Sequence, residues 1–279
     1  MKIDFDASLV AQPAGRLAER DRPGIGAGGG THLVLIPSYN SGAKLLETVR
    51  DARQFWAPVW VVVDGSTDGS SAALEPLAAI DPDLRLFVLP TNQGKGAAIL
   101  HGLRLAERAG FTHVLTMDSD GQHPAWLIPS FMATSRAHPD ALILGDPIFD
   151  RSAPLVRVLG RKLSNVWTSV ETLWVGRFDS LFGFRVYPVS SLREIMEESR
   201  WMRRFDFDAE AAVRLCWRGY RPLSVPAPVR YFTPQQGGVS HFRYLRDNIL
   251  LSWMHARLVV GCVRRLPRLL ARRVRSSRH

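Results

Sequence analysis

The feature that most constrains how this chain folds is a repeat of short, wholly apolar runs, each followed by a stretch with helical spacing. HLVLIP at 32–37 precedes a helical pattern over 43–55, VWVVVD at 59–64 precedes one over 70–79, LRLFVLP at 84–90 precedes one over 96–109, and FTHVLTMD follows at 111–118. Runs apolar on both faces must be covered on both faces, and a parallel sheet between crossover helices does this. The expected class is α/β, with a Rossmann-like, mostly parallel sheet flanked by helices. Past Pro124 the order is less regular. A helix is expected over 125–137, a strand at ALILG (141–145), a basic helical segment through Arg157 and Arg161, the run DSLFGFRVYP at 179–188, and a helix over 208–218. RPLSVPAPVRYF at 221–232 reads as extended chain whose prolines limit pairing.

In such sheets ligands gather outside the carboxyl ends of the strands. Here those ends are Pro37-Ser38-Tyr39-Asn40, Asp64-Gly65-Ser66-Thr67-Asp68, Asn92-Gln93-Gly94-Lys95-Gly96 and Asp118-Ser119-Asp120. In extended chain, Asp118 and Asp120 project to the same side, where two anions repel unless a cation lies between them. Oxygen ligands favour Mg²⁺ or Mn²⁺, and such an ion can neutralise a leaving diphosphate. Asp64 is an acceptor-only group suited to a base imide or ribose hydroxyls, with a simple Asx turn as the alternative. Lys95, between two glycines at a helix start, is placed to face phosphate or to order its loop.

Charge narrows the partners. The net charge of +10 favours phosphate-bearing molecules, and seven arginines between Arg264 and His279 make part of it local. No helix-turn-helix, zinc or RNA-binding signature accompanies the charge, so nucleic acid is not an expected partner. The two cysteines, Cys216 and Cys262, form neither a disulfide framework nor a zinc pattern. The first ten residues, MKIDFDASLV, lack a secretory pattern, so a cytoplasmic protein is expected. The segment 1–30 ends in GIGAGGG and reads as a flexible leader, followed by a main domain over 31–245. The remainder, 246–279, is apolar and then arginine-rich, and its stretch 248–263 is interrupted by His255 and Arg257. That falls short of the ~20 apolar residues of a membrane span. Two readings stay open: an amphipathic helix on the inner face of the cytoplasmic membrane, or a core-packed helix with a solvated tail.

Taken together, IPSYN, VVDGSTDGS, NQGKGAAILHGL, MDSDGQHP and DSLFGFRVYP resemble the inverting family 2 glycosyltransferases, in particular the dolichol-phosphate mannose synthase-like branch, in order and spacing over 32–241. The resemblance implies a GT-A fold that binds a UDP- or GDP-sugar in the first half and a lipid-linked or lipid-like acceptor in the second. It implies that Pro37 and Tyr39 line the nucleotide pocket, that Asp64 holds the base, and that Asp118, Asp120 and Gln122 lie on the metal side. It sets Arg157 and Arg185 against anionic oxygen and brings His241 to the diphosphate or acceptor. Three departures stand out: Val63-Asp64 replaces paired acids, Gly145-Asp146-Pro147 replaces glycine-serine-arginine, and Gly238-Val239-Ser240-His241 ends in a titratable imidazole rather than lysine. A polyprenyl phosphate is already a nucleophile, whereas a lipid or pigment hydroxyl needs a general base. Among Asp179, Asp206, Asp208 and Glu210, Asp179 is the favoured base. A non-catalytic nucleotide-sugar-binding protein is the alternative.

Overall fold

A computed structural model describes residues 30–149, 155–230 and 244–276, except for the side chains of 155–158, 244–245 and 273–276. One seven-stranded sheet organises them, in the order β3-β2-β1-β4-β6-β5-β7. The strands are β1 (His32–Ser38), β2 (Val59–Asp64), β3 (Leu84–Leu89), β4 (His113–Thr116), β5 (Ala141–Ile148), β6 (Arg185–Pro188) and β7 (Arg221–Pro228). β1 and β2 are buried along their whole length, as runs apolar on both faces require. β1, β2, β3 and β4 pair in parallel, so their carboxyl ends share one edge. β6 runs antiparallel to both β4 and β5, a reversal that the DSLFGFRVYP run did not announce.

β7 pairs in parallel with β5 alone and forms the sheet's edge. Pro222, Pro226 and Pro228 share one parity along it, so their missing N–H groups fall on the unpaired side. The sequence expectation of proline-limited pairing is met in this form.

The helices are α1 (Ala43–Phe55), α2 (Glu75–Ile80), α3 (Lys95–Arg108), α4 (Ile128–Ala137), α5 (Leu155–Glu171), α6 (Val189–Glu197), α7 (Phe207–Arg218) and α8 (Tyr244–Ser276). α1 buries Leu45, Thr48, Val49 and Ala52, an i, i+3, i+4, i+7 stripe, on one face of the sheet. α3 covers the other face with Ala98, Ile99, Leu103 and Ala106. α8 docks on α5 and α7 through Met254, Leu258 and Cys262. Among the described residues, no helix is long and apolar enough to cross a membrane.

Candidate active site

At the carboxyl end of β4, Asp118, Ser119 and Asp120 leave the sheet. The Ser119 hydroxyl bonds Ser41 at 2.7 Å and Ser41 bonds Ser38 at 3.1 Å, so a buried hydroxyl chain ties this turn to the end of β1. The Asp118 N–H donates to His123 Nδ1 at 3.0 Å, which leaves the proton of the neutral ring on Nε2, 3.6 Å from Asp118 Oδ2. Burial pushes His123 down to about 4 despite the nearby Asp118 carboxylate, so the ring is neutral. Phe182 and Phe184 pack against it, with ring centroids 4.7 and 5.3 Å away.

Lys95, the first residue of α3, sits between two carboxylates, 2.7 Å from Asp118 Oδ1 and 2.7 Å from Asp208 Oδ2 on α7. Burial opposes its charge, but the two anions outweigh burial and raise its pKa. Burial likewise works to raise Asp118, and Lys95 with His123 overcomes it to hold Asp118 below the usual carboxylate range. Asp120 makes no ion pair among the described residues and feels Lys95 more weakly. Burial, then the Asp118 charge, pushes it up to about 7, while its Oδ1 accepts the Gln122 N–H at 3.0 Å.

Two glycine positions make this packing possible. A side chain at Gly96 would collide with the Met202 carbonyl, so the loop carrying Arg203 and Arg204 lies directly on the start of α3. A Cβ on Gly183 would stand 2.7 Å from Lys95 Nζ and 2.9 Å from Asp118 Oδ2, which is why the run before β6 needs glycine there.

Pro37, Tyr39 and Asp64 line the same cleft of about 1100 Å³ as Lys95, Asp118, Asp120 and Gln122. The role of Asp64 is more local than base recognition alone. Its oxygens accept the Gln93 N–H at 2.9 Å and the Gly94 N–H at 2.6 Å, ordering the loop that delivers Lys95. Burial raises its pKa against those bonds and Arg204.

Two expectations fail on geometry. Arg185 does not reach an anionic ligand. It is wholly buried, and its guanidinium donates to the carbonyls of Phe182 (2.6 Å), Asp179 (3.0 Å) and Asp208 and to the Tyr187 hydroxyl (2.9 Å). It clamps α7 to the loop before β6. Asp179 is not placed as a general base, because its carboxylate already accepts hydrogen bonds from Arg161 (2.5 Å), Asn165 (3.3 Å) and the Leu181 and Phe182 N–H groups (3.0 and 2.8 Å). It organises the same loop. The side chain of Arg157 lies outside the described residues, although its backbone falls in α5; His241 lies outside them altogether.

Sequence reasoning missed the cleft's other cations. Arg161 from α5, Arg204 from the loop before α7, and Arg246 from α8 all line it. They come from three elements separated in sequence, and no local spacing brings them together. Asp208, one of the acids weighed as a base and not favoured, is buried, and its Oδ1 has no partner among the described residues.

As a metal site, the described residues provide no group of three or more His, Cys, Asp or Glu side chains. They provide two neighbouring carboxylates, one pushed up by burial and by the other's charge, which suits Mg²⁺ or Mn²⁺ completed by substrate phosphate and water. The residues fit such an ion.

The model of the family described as "Glycosyl transferase family 2" matches residues 33–194. The chain belongs to that family. This family 2 glycosyltransferase is 30% identical over 216 residues to the polyprenol monophosphomannose synthase of Mycolicibacterium smegmatis, covering 75% of this chain and 79% of that one. It is 34% identical over 146 residues to the undecaprenyl-phosphate 4-deoxy-4-formamido-L-arabinose transferase of Proteus mirabilis, covering 50% and 43% of the two chains. In fold it is similar to a mannosyltransferase from Pyrobaculum calidifontis in complex with GDP-Man and Mn²⁺, with a TM-score of 0.55 and 19% identity over 84% of this chain and 64% of that one. It is also similar to the glucosyl-3-phosphoglycerate synthase of Mycobacterium tuberculosis in complex with Mn²⁺, UDP-glucose and phosphoglyceric acid, with a TM-score of 0.53 and 19% identity over 83% and 78%.

Proposed function

We propose that this glycosyltransferase moves a sugar, with inversion, from a UDP- or GDP-sugar to a membrane-associated polyprenyl phosphate, with Mg²⁺ or Mn²⁺ bound at Asp118 and Asp120. One observation carries the reading: a single cleft runs from those carboxylates to apolar walls on α5 and α8, including Leu163, Trp167, Leu251 and Val259. A charged donor and a long apolar acceptor are thus served by one cavity.

The ion, when bound, would neutralise charge on the departing nucleoside diphosphate. Pro37, Tyr39 and Asp64 would surround the base and ribose, with Gln122 beside the ion. Lys95, held between Asp118 and Asp208, keeps a fixed positive charge next to the diphosphate path. Phosphate is favoured over hydroxyl as the nucleophile because Arg161, Arg204 and Arg246 face the cleft, whereas the carboxylate of Asp179 is fully engaged. An ionised phosphate needs no base to attack. The mycobacterial and Proteus relatives, named for polyprenol and undecaprenyl phosphate chemistry, support the same choice.

The test supplies radiolabelled GDP-mannose, UDP-glucose or UDP-N-acetylglucosamine with Mn²⁺ and either undecaprenyl phosphate or undecaprenol. Acid-labile labelled lipid from the phosphate alone is expected. Acid-stable product from the alcohol would replace the phosphate reading with a hydroxyl acceptor.

A further inference from the structure

α8 carries two apolar stripes. Leu251, Met254, Leu258, Cys262 and Leu269 form one, packed with Ala209, Val213 and Trp217 of α7. Ile249, Trp253, Val260, Val263 and Leu270 recur at helical spacing on the opposite side, and all are exposed, Trp253 by 54%. Of the two readings of this segment left open by sequence, core packing holds for one face, and the other face is exposed. The arginines divide in the same way: Arg265 stacks over the Trp217 ring, 4.8 Å from its centroid, and Arg272 donates to the Trp217 carbonyl, while Arg246, Arg264 and Arg268 are exposed alongside the outer stripe.

α5, which packs beside α8, also carries an exposed apolar stripe, while its buried face holds Ser164, Thr168 and Glu171. Leu159, Leu163, Val166 and Trp167 stand at i, i+4, i+7 and i+8 and are exposed, Leu159 by 64%. The Trp167 ring lies 6.5 Å from the buried His255 of α8, where both helices line the cleft. Adjoining exposed apolar faces on two helices mark a surface built for contact. Tryptophans at 167 and 253 suit the boundary between water and acyl chains.

We propose that α5 and α8 together form a docking face for an anionic lipid bilayer, with both helices lying in the interfacial plane and the cleft opening between them. Charge selects this occupant. Self-association through the same face would bring two arginine rims together on a chain of net charge +10, whereas anionic headgroups neutralise that rim. No described helix is apolar enough to span, so contact stays at the interface. Lateral entry of the acceptor into the cleft rests on the lipid-acceptor reading; the docking face does not.

The test is flotation of the full chain with phosphatidylcholine vesicles, with or without phosphatidylglycerol, at low and high salt. Variants Leu159→Asp/Val166→Asp on α5 and Trp253→Asp/Val263→Asp on α8 avoid the cleft-lining positions and the packed stripe. Binding to the phosphatidylglycerol vesicles that weakens with salt is expected, with each variant lowering partition at least about tenfold. Far-ultraviolet circular dichroism and Mn²⁺-dependent donor binding should stay at wild-type levels. Wild-type partition by the α5 variant would overturn the two-helix face. Absence of vesicle binding, or a dimer of the free chain that the same variants dissociate, would overturn the bilayer as its occupant. Donor binding without vesicle binding would do so while leaving the transferase reading intact.

Discussion

β1 and β4 lie side by side, and their two ends solve the problem of buried polar groups in opposite ways. At the amino ends His32 stacks on His113, ring centroids 4.6 Å apart. All four ring nitrogens have partners: Thr31 (2.8 Å) and Ser135 (3.0 Å) for His32, Thr112 (2.9 Å) and the Pro139 carbonyl (3.2 Å) for His113. Burial, then the neighbouring His113 and Arg136, takes His32 down to about 4, so the pair is neutral and internally satisfied. At the carboxyl ends Asp120 is pushed up beside Asp118, and the buried Asp208 Oδ1 has no partner among the described residues. The lower end is complete within the protein. The upper end keeps an unmet demand for cations and donors, and that residue of unmet chemistry marks where a ligand belongs.

The largest effect should come from breaking the upper end. Asp120→Asn should lower kcat/KM by at least about 10³, the scale of losing charge stabilisation in a transition state, with an unchanged thermal melt. Lys95→Met should be costly to the fold itself, by about 3–5 kcal/mol in denaturant unfolding, because it leaves the buried Asp208 and the half-buried Asp118 without their cation. Adding Asp208→Asn should recover part of that loss, a non-additivity that separates a shared ion cluster from two independent contacts.

The lower end makes a pH prediction. His32 has a folded pKa of about 4 against the ordinary 6.5 of a solvated imidazole, so between these values the unfolded chain binds more protons than the native one. Stability from its neutral burial is full above pH ~6.5 and is lost as pH falls toward ~4, by on the order of 3 kcal/mol. Urea midpoints across that window should show the slope, and His32→Phe should flatten it. If activity followed the same window in the variant as in wild type, the upper end would be titrating independently, as the comparison requires. Smaller again is Asp179→Asn: a loss of about 1–2 kcal/mol from a weakened loop anchor, with the shape of the kcat–pH profile unchanged. A vanished basic or acidic limb would restore Asp179 as a base.

Much of the upper end was legible in sequence because its information is local. A strand rich in β-branched residues ends at Asp64, and an apolar strand ends at Thr116, two residues before Asp118, so each carboxylate's place at the sheet edge follows from period and breaker residues. The Gly94-Lys95-Gly96 turn likewise falls at a helix start, as its composition implies. What stayed hidden is what depends on distant chain. The partnership of Lys95 with Asp208 spans 113 residues, and the clamp of Arg185 on α7 depends on a strand reversal at β6 that no local pattern encodes. Arginine before a strand reads equally well as an anion ligand or a buried clamp until the carbonyls around it are known. The two faces of α8 were similarly ambiguous, since an apolar residue at helical spacing does not say which neighbour covers it.

The central claim is that Asp118 and Asp120 join a nucleoside-diphosphate sugar to the protein through a divalent ion. Calorimetric titration of GDP-mannose and UDP-glucose into wild type and Asp120→Asn, each with Mn²⁺ and with chelator, tests it most directly. The account predicts saturable binding of one donor to wild type with Mn²⁺, and its loss in chelator and in the variant. Equal donor affinity in all four conditions would contradict it.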